Sequence, residues 1–184
     1  SLDVSAGEVY YLERVDAEDE SAAWFLHTLQ AQETLDCADA GNDLENLIVS
    51  GALAYLTDGK TLYTCSLPEG RVLQAANAET EITTLFCRTD GTVVAYCEDT
   101  GNLYELEAGG EVLTKTGTLP LLFRSGKLLP GTNSGYDCLV LGQAELFGWN
   151  IEQAAATQLL SFDTYGLVSN NLSAFARLGN GAFL

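Results

Sequence analysis

The sequence predicts an all-β protein of the β-propeller kind, made of four-stranded antiparallel blades that recur about every 40 residues. Three observations carry this. Short apolar runs alternate with glycine-bearing turns, among them Asp58-Gly59, Asp90-Gly91, Asp99-Thr100-Gly101 and Ala108-Gly109-Gly110, where a hairpin needs positive φ. The runs repeat in wording: Thr61-Leu62-Tyr63 answers Asn102-Leu103-Tyr104 and Glu145-Leu146-Phe147, with Ala23-Trp24-Phe25 as a weaker copy. Aligned on Phe25, Tyr63, Tyr104 and Phe147, the copies lie 38, 41 and 43 residues apart. A single four-stranded sheet cannot cover both of its faces, and stacking such sheets around an axis does so. The WD dipeptide of the best-known propeller repeat is missing, so period and turns carry the reading.

The units span about 7–40, 44–77, 81–118 and 119–163, with a partial unit at 171–184. The first supplies three strands, Gly7–Val15, Ala22–Leu29 and Thr34–Ala38, with an acidic turn at Asp16–Ser21. The second supplies Leu47–Ser50, Ala52–Thr57, Thr61–Leu67 and Arg71–Ala75. The third is the cleanest copy: Ile82–Arg88, Thr92–Glu98, Asn102–Glu107 and Glu111–Lys115. A two-residue Asp90-Gly91 turn there sets Cys87 opposite Val94 and Cys97 opposite Thr84, which keeps the two cysteines apart. The fourth departs most. It reads as strand Leu121–Arg124, loop Pro130–Gly135, then strands Tyr136–Leu141, Glu145–Ile151 and Thr157–Phe162. A connector, Asp163–Asn171, leads to Leu172–Leu178 and the turn Gly179-Asn180-Gly181. The ending allows two arrangements. In one the chain is an arc of a larger ring, the reading favoured by a last hairpin that stops midway. In the other Leu172–Leu178 supplies the first strand that the opening unit lacks, and four blades close.

Charge excludes several function classes. Twenty-six acids face eight bases, for a net charge of −18, and the first 45 residues hold twelve acids and one base, Arg14. Such a surface repels nucleic-acid phosphates and anionic lipid headgroups. No apolar run is long enough to span a bilayer as a helix. The chain starts at Ser1 and contains no methionine, which reads as a mature portion of a longer protein. Five cysteines, Cys37, Cys65, Cys87, Cys97 and Cys138, show no zinc or redox spacing. They read as reduced strand residues, small hydrophobes in a sheet.

Catalytic signatures are lacking. His27 is the sole histidine, so any triad must be built on it, and no GxSxG nucleophile motif accompanies it. Its context, Trp24-Phe25-Leu26-His27, reads as a strand histidine satisfied by a neighbour. Asp36, Asp39, Asn42, Asp43 and Glu45 are rich in oxygen but depart from the EF-hand spacing, and the sequence calls for no metal and no cofactor. Asp58, Glu69, Asp90 and Asp99 fall in turns, where acids shape hairpins. Tyr55, Tyr63, Tyr96, Tyr104, Phe147 and Trp149 recur at blade spacing and read chiefly as packing between blades. The ligand-binding candidates are Tyr136, Asp137, Phe147 and Trp149, all in the fourth unit.

That unit also carries a resemblance. The run Gly135-Tyr136-Asp137, then Glu145-Leu146-Phe147-Gly148-Trp149-Asn150, Leu159-Leu160-Ser161-Phe162-Asp163, Tyr165-Gly166-Leu167 and Leu178-Gly179-Asn180-Gly181-Ala182-Phe183-Leu184 resembles a propeller region of certain proteins. These are extracellular solute-binding lipoproteins of gut Firmicutes, components of ABC importers. Phe147, Ser161-Phe162 and Asn180 stand where that family has tyrosine, Asn-Trp and aspartate. The resemblance implies an exported, cell-surface protein with an adjoining solute-binding domain. The expected function is non-enzymatic: a binding or scaffold propeller whose loops meet a glycan, a peptide or that domain. The alternative is a carbohydrate-active propeller enzyme, a hydrolase or lyase that uses paired carboxylates.

Overall fold

The computed structural model describes residues 1–16, 22–30, 34–37, 40–41, 43–67, 69–88, 90–107, 110–124, 127–131, 135–142 and 145–161. They form four four-stranded antiparallel sheets, each a meander of consecutive strands. The first is β1 (Leu2–Ser5), β2 (Glu8–Asp16), β3 (Ala22–Thr28) and β4 (Thr34–Asp36). The second is β5 (Leu44–Ser50), β6 (Leu53–Asp58), β7 (Thr61–Ser66) and β8 (Val72–Asn77). The third is β9 (Thr84–Cys87), β10 (Val93–Cys97), β11 (Asn102–Leu106) and β12 (Thr114–Thr118). A four-residue helix, α1 (Leu121–Arg124), precedes the fourth: β13 (Lys127–Pro130), β14 (Cys138–Leu141), β15 (Glu145–Asn150) and β16 (Ala155–Ser161).

First strands pack on first strands, β1 on β5, β5 on β9 and β9 on β13. They are therefore the inner strands around a common axis, and the fourth strands are the outer edges. The edges are polar where they meet water: β12 reads TKTGT, and most of β16 is exposed. Polar edge strands resist pairing with other chains. Among the described residues, β1 and β13 do not pack on each other in this way, so the described sheets form an arc.

The inner two or three strands of the second and third sheets are apolar because both faces are covered. β10 is the clearest case, with Val93, Val94, Ala95, Tyr96 and Cys97 all buried. Side chains alternate across a strand. Val93, Ala95 and Cys97 join Tyr55, Leu62 and Ile82 in the core between the second and third sheets. Val94 and Tyr96 join Phe86, Leu103, Val140 and Trp149 between the third and fourth. A continuous apolar run is what a strand buried on both faces requires. Burying each such side chain is worth about 1.5–3 kcal/mol, so these inter-sheet cores hold the arc together.

Several expectations are corrected. The first sheet is complete, because Leu2–Ser5 pairs with β2 in the register Leu2↔Tyr11 and Val4↔Val9. The first strand that the opening unit was expected to lack is thus Leu2–Ser5, and Leu172–Leu178 lie outside the described residues. Leu121–Arg124 is helical, and the fourth sheet takes Lys127–Pro130 as its first strand. Pro120 explains this: its fixed φ starts a helical turn, closed by the Phe123 N–H donating to the Pro120 carbonyl at 2.9 Å. The outer strand of the third sheet lies at Thr114–Thr118 rather than Glu111–Lys115.

The hairpin at Asp90-Gly91 has a three-residue loop. Arg88 N–H bonds the Thr92 carbonyl at 2.9 Å, and Cys87 pairs with Val93 and Thr84 with Tyr96. Asp90 accepts from the Thr92 N–H at 2.9 Å, and Gly91 sits at φ +89°. That is the turn-plus-bulge solution in which the third loop residue is left-handed. The separation of Cys87 from Cys97 stands in the new register, and all five cysteines are free. The turn residues Ala108-Gly109, the middle of the Pro130–Gly135 loop, the Asp163–Asn171 connector and the partial fifth unit lie outside the described residues, as do Asp39 and Asn42.

Candidate functional site

The four ligand-binding candidates occupy one sheet but do not form one site. Phe147 and Trp149 lie on β15, two residues apart, and face the third sheet. Phe123 of α1 packs on both, with ring centroids 4.8 Å from Phe147 and 6.0 Å from Trp149. Trp149 is buried, and its indole Nε1–H has no hydrogen-bond partner. Tyr136 lies on the opposite face, with Leu129, Leu139 and Leu146. Its ring rests on Gly148, where an added Cβ would come within 2.5 Å of the ring carbons. Glycine at position 148 is thus required by the tyrosine above it, a pairing visible in the sequence only as Tyr136…Gly148.

Asp137 is committed to structure. One carboxylate oxygen accepts from the Ile151 N–H at 2.7 Å, and the other binds Arg88 Nη2 at 2.8 Å. Arg88 Nη1 binds Glu105 at 2.8 Å, and Glu152 stands 4.0 Å away. Arg88 directly follows β9 of the third sheet, so one guanidinium ties two sheets together. Burial works against its charge. The carboxylates of Asp137, Glu105 and Asp90 together outweigh that and hold its pKa above the ordinary value. No motif or repeat in the sequence singles out Arg88. Its signal was scarcity, as one of eight bases in the whole chain, placed beside a turn.

His27 sits on the first sheet, on the face turned away from the second. Its Nε2 is 2.7 Å from Glu13 and its Nδ1 is 3.0 Å from the Thr34 hydroxyl. An ionised carboxylate only accepts, so Nε2–H donates to Glu13, while Nδ1 is engaged by the Thr34 hydroxyl. Tyr11 stacks on the ring at 4.8 Å and 16°. The imidazole is satisfied by neighbours on both sides, as a strand histidine should be.

The thiols are poor nucleophiles. Burial pushes Cys65 and Cys138 up to about 12, and it also raises Cys37, Cys87 and Cys97. A thiol that stays protonated at neutral pH does not attack. Near the axis, the inner strands carry two acids, Asp3 and Glu45. Asp3 accepts from the Val49 N–H at 2.6 Å and so braces β1 against β5. Among the described residues, no three His, Cys, Asp or Glu side chains converge to hold a metal ion. No described helix is long and apolar enough to cross a membrane.

No family model matches the sequence, and no curated protein matches it significantly. Solved structures do match. A streptogramin B lyase shares 12% identity at a TM-score of 0.60, over 95% of this chain and 65% of that one. The extracellular domain of a putative one-component system from B. thetaiotaomicron shares 15% identity at a TM-score of 0.60, over 100% of this chain and 24% of that one. A virginiamycin B lyase from Staphylococcus aureus shares 10% identity at 0.59, over 86% of this chain and 54% of that one. The chain thus spans less than two-thirds of the length of each of these structures. Identities this low speak to architecture alone, and with the four meander sheets around one axis they establish a β-propeller-like fold.

Proposed function

We propose that this propeller domain is a non-enzymatic binding or scaffold module on the outside of a cell, within a solute-binding or cell-surface lipoprotein. One observation carries the reading: the side chains best suited to chemistry are spent on holding sheets together. Both ring nitrogens of His27 are occupied, and Arg88, Asp137 and Glu105 are paired with one another. The axis argues the same way, since Asp3 is engaged by a backbone N–H. The likeness to an extracellular domain supports the location. Neighbouring loops would then meet a glycan, a peptide or an adjoining solute-binding domain.

Three measurements test this. Glycan and peptide arrays probed with the purified chain should show binding, and surface biotinylation of source cells should label the protein. The same preparation, incubated with a polysaccharide panel, should release no new reducing ends and no unsaturated products. Release of either would replace this reading with the carbohydrate-active one.

A further inference from the structure

The first sheet has an open face. In the second, third and fourth sheets the matching aromatics of the third strand all point back toward the preceding sheet. Tyr63 packs into the core with the first sheet, Tyr104 into the core with the second, and Phe147 into the core with the third. The equivalent residue of the first sheet is Phe25. It pairs with Glu13 and Asp36, whereas the buried Leu12, Leu26 and Leu35 pair on the side facing the second sheet. Phe25 therefore points to where a preceding sheet would stand. Leu2, Tyr11, Val15 and Leu29 share its face by register and are 63%, 36%, 45% and 58% exposed. They make up half of the large exposed hydrophobic residues among the described ones. Isolated apolar residues on a surface are ordinary, but a contiguous set on one sheet face marks an interaction surface.

We propose that this face is a blade-docking surface, and that its occupant is a further β-sheet of the same ring, apolar at its centre and carrying an arginine or lysine opposite Glu13. The inference does not depend on the functional reading above. It extends the interface chemistry already present in the arc. Each described interface is an apolar core, and the one between the third and fourth sheets adds a single arginine that joins acids of both. On the open face His27 is the only described side chain able to carry positive charge, and it is engaged by Glu13. An incoming basic group would complete the same arrangement. A second copy of the chain is the poorer occupant, because it would set Glu13 against Glu13 between two molecules of net charge −18.

The test compares the 184-residue chain with the intact gene product, whatever its length. Leu29→Cys places a thiol on the open face, and its rate of maleimide labelling under native conditions is read by peptide mass spectrometry. Val15→Cys, at the other end of the face, repeats the measurement on an independent site. Labelling should be fast in the 184-residue chain and about tenfold or more slower in the intact product, as protection by tertiary packing requires. Glu13→Lys should lower the melting temperature of the intact product more than that of the 184-residue chain. Equal labelling in both forms overturns the proposal. Protection that grows with the concentration of the 184-residue chain assigns the face to a second copy and also overturns it. Protection without any extra effect of Glu13→Lys removes the basic group and overturns the stated chemistry of the occupant.

Discussion

Replacing Arg88 by methionine isolates what one guanidinium contributes to joining two sheets. Methionine keeps most of the aliphatic stem and its packing, so the change removes charge and donors rather than volume. Two bonds of 2.8 Å are lost, to Glu105 and Asp137. The side chains of Arg88, Glu105 and Asp137 are 17%, 22% and 15% exposed, so their carboxylates would be left largely desolvated without a counter-charge. Breaking a fully buried pair from one side costs about 3–5 kcal/mol. Residual exposure and the 2.7 Å bond that Asp137 retains from the Ile151 N–H reduce this, giving about 2–3 kcal/mol. For a domain of this size that is a fall of about 4–12 °C in melting temperature. Urea denaturation should show a lower midpoint with an unchanged slope. The companion variant Asp137→Ala should share part of the loss, and a double-mutant cycle should give a coupling of about 1–2 kcal/mol. A cost for Arg88→Met below about 0.5 kcal/mol, the level of an exposed pair, would refute the idea that this residue bridges the interface.

Gly148→Ala should destabilise by about 1–2 kcal/mol in the same denaturation assay, because the new methyl meets the Tyr136 ring and overpacking outweighs the strand benefit of losing a glycine. The double variant Gly148→Ala, Tyr136→Ala should show less than the sum of the two single losses; strict additivity would mean that the ring does not rest there. The buried thiols of Cys37, Cys65, Cys97 and Cys138 should react with a disulfide reagent at neutral pH only as fast as the protein opens. In alkali the sign runs against the fold. With thiol pKa values raised in the native state, unfolding releases protons above about pH 9, so stability falls as pH rises toward the native values near 12, by up to about 1.4 kcal/mol per pH unit for each ionising thiol. Replacing Cys65 and Cys138 by alanine should flatten that alkaline slope, and an unchanged slope would assign it to other groups.

Legibility differed between fold and site for physical reasons. Turn chemistry and the two-sided apolar strands are local, so the four meanders were readable from Asp58-Gly59, Gly70, Asp99-Thr100-Gly101 and runs such as Thr92–Glu98. Register was less readable. Whether Asp90-Gly91 closes a two- or a three-residue loop depends on an Asp90 side-chain bond to Thr92 that spacing alone does not reveal. Leu121–Arg124 has strand-like composition, and only Pro120 and the packing of Phe123 against Phe147 make it helical. The departures in the fourth unit were visible, yet their cause was packing: Tyr136 over Gly148 and Asp137 on Arg88. A contact between residues 49 positions apart, such as Arg88 with Asp137, leaves no periodic trace in a single sequence.

The acidity and the interfacial Arg88 belong to one argument. With 26 acids and eight bases, the carboxylates outnumber the cations, and turns such as Glu98-Asp99-Thr100-Gly101 keep acids at the water-facing ends of hairpins. Their mutual repulsion opposes the compact state. Added salt shortens the screening length from about 30 Å at 0.01 M to about 10 Å at 0.1 M, which weakens repulsion between separated surface charges. The Arg88 pairs, at 2.8 Å and largely buried, are screened much less. Melting temperature should therefore rise with salt in the parent protein. It should rise as steeply in Arg88→Met from its lower starting point, because salt relieves the surface and leaves the interface alone. A melting temperature that falls with salt would place the balance with exposed ion pairs instead. In that case the apolar cores between sheets, and not charge, would have to be supplying even more of the cohesion than their buried side chains suggest.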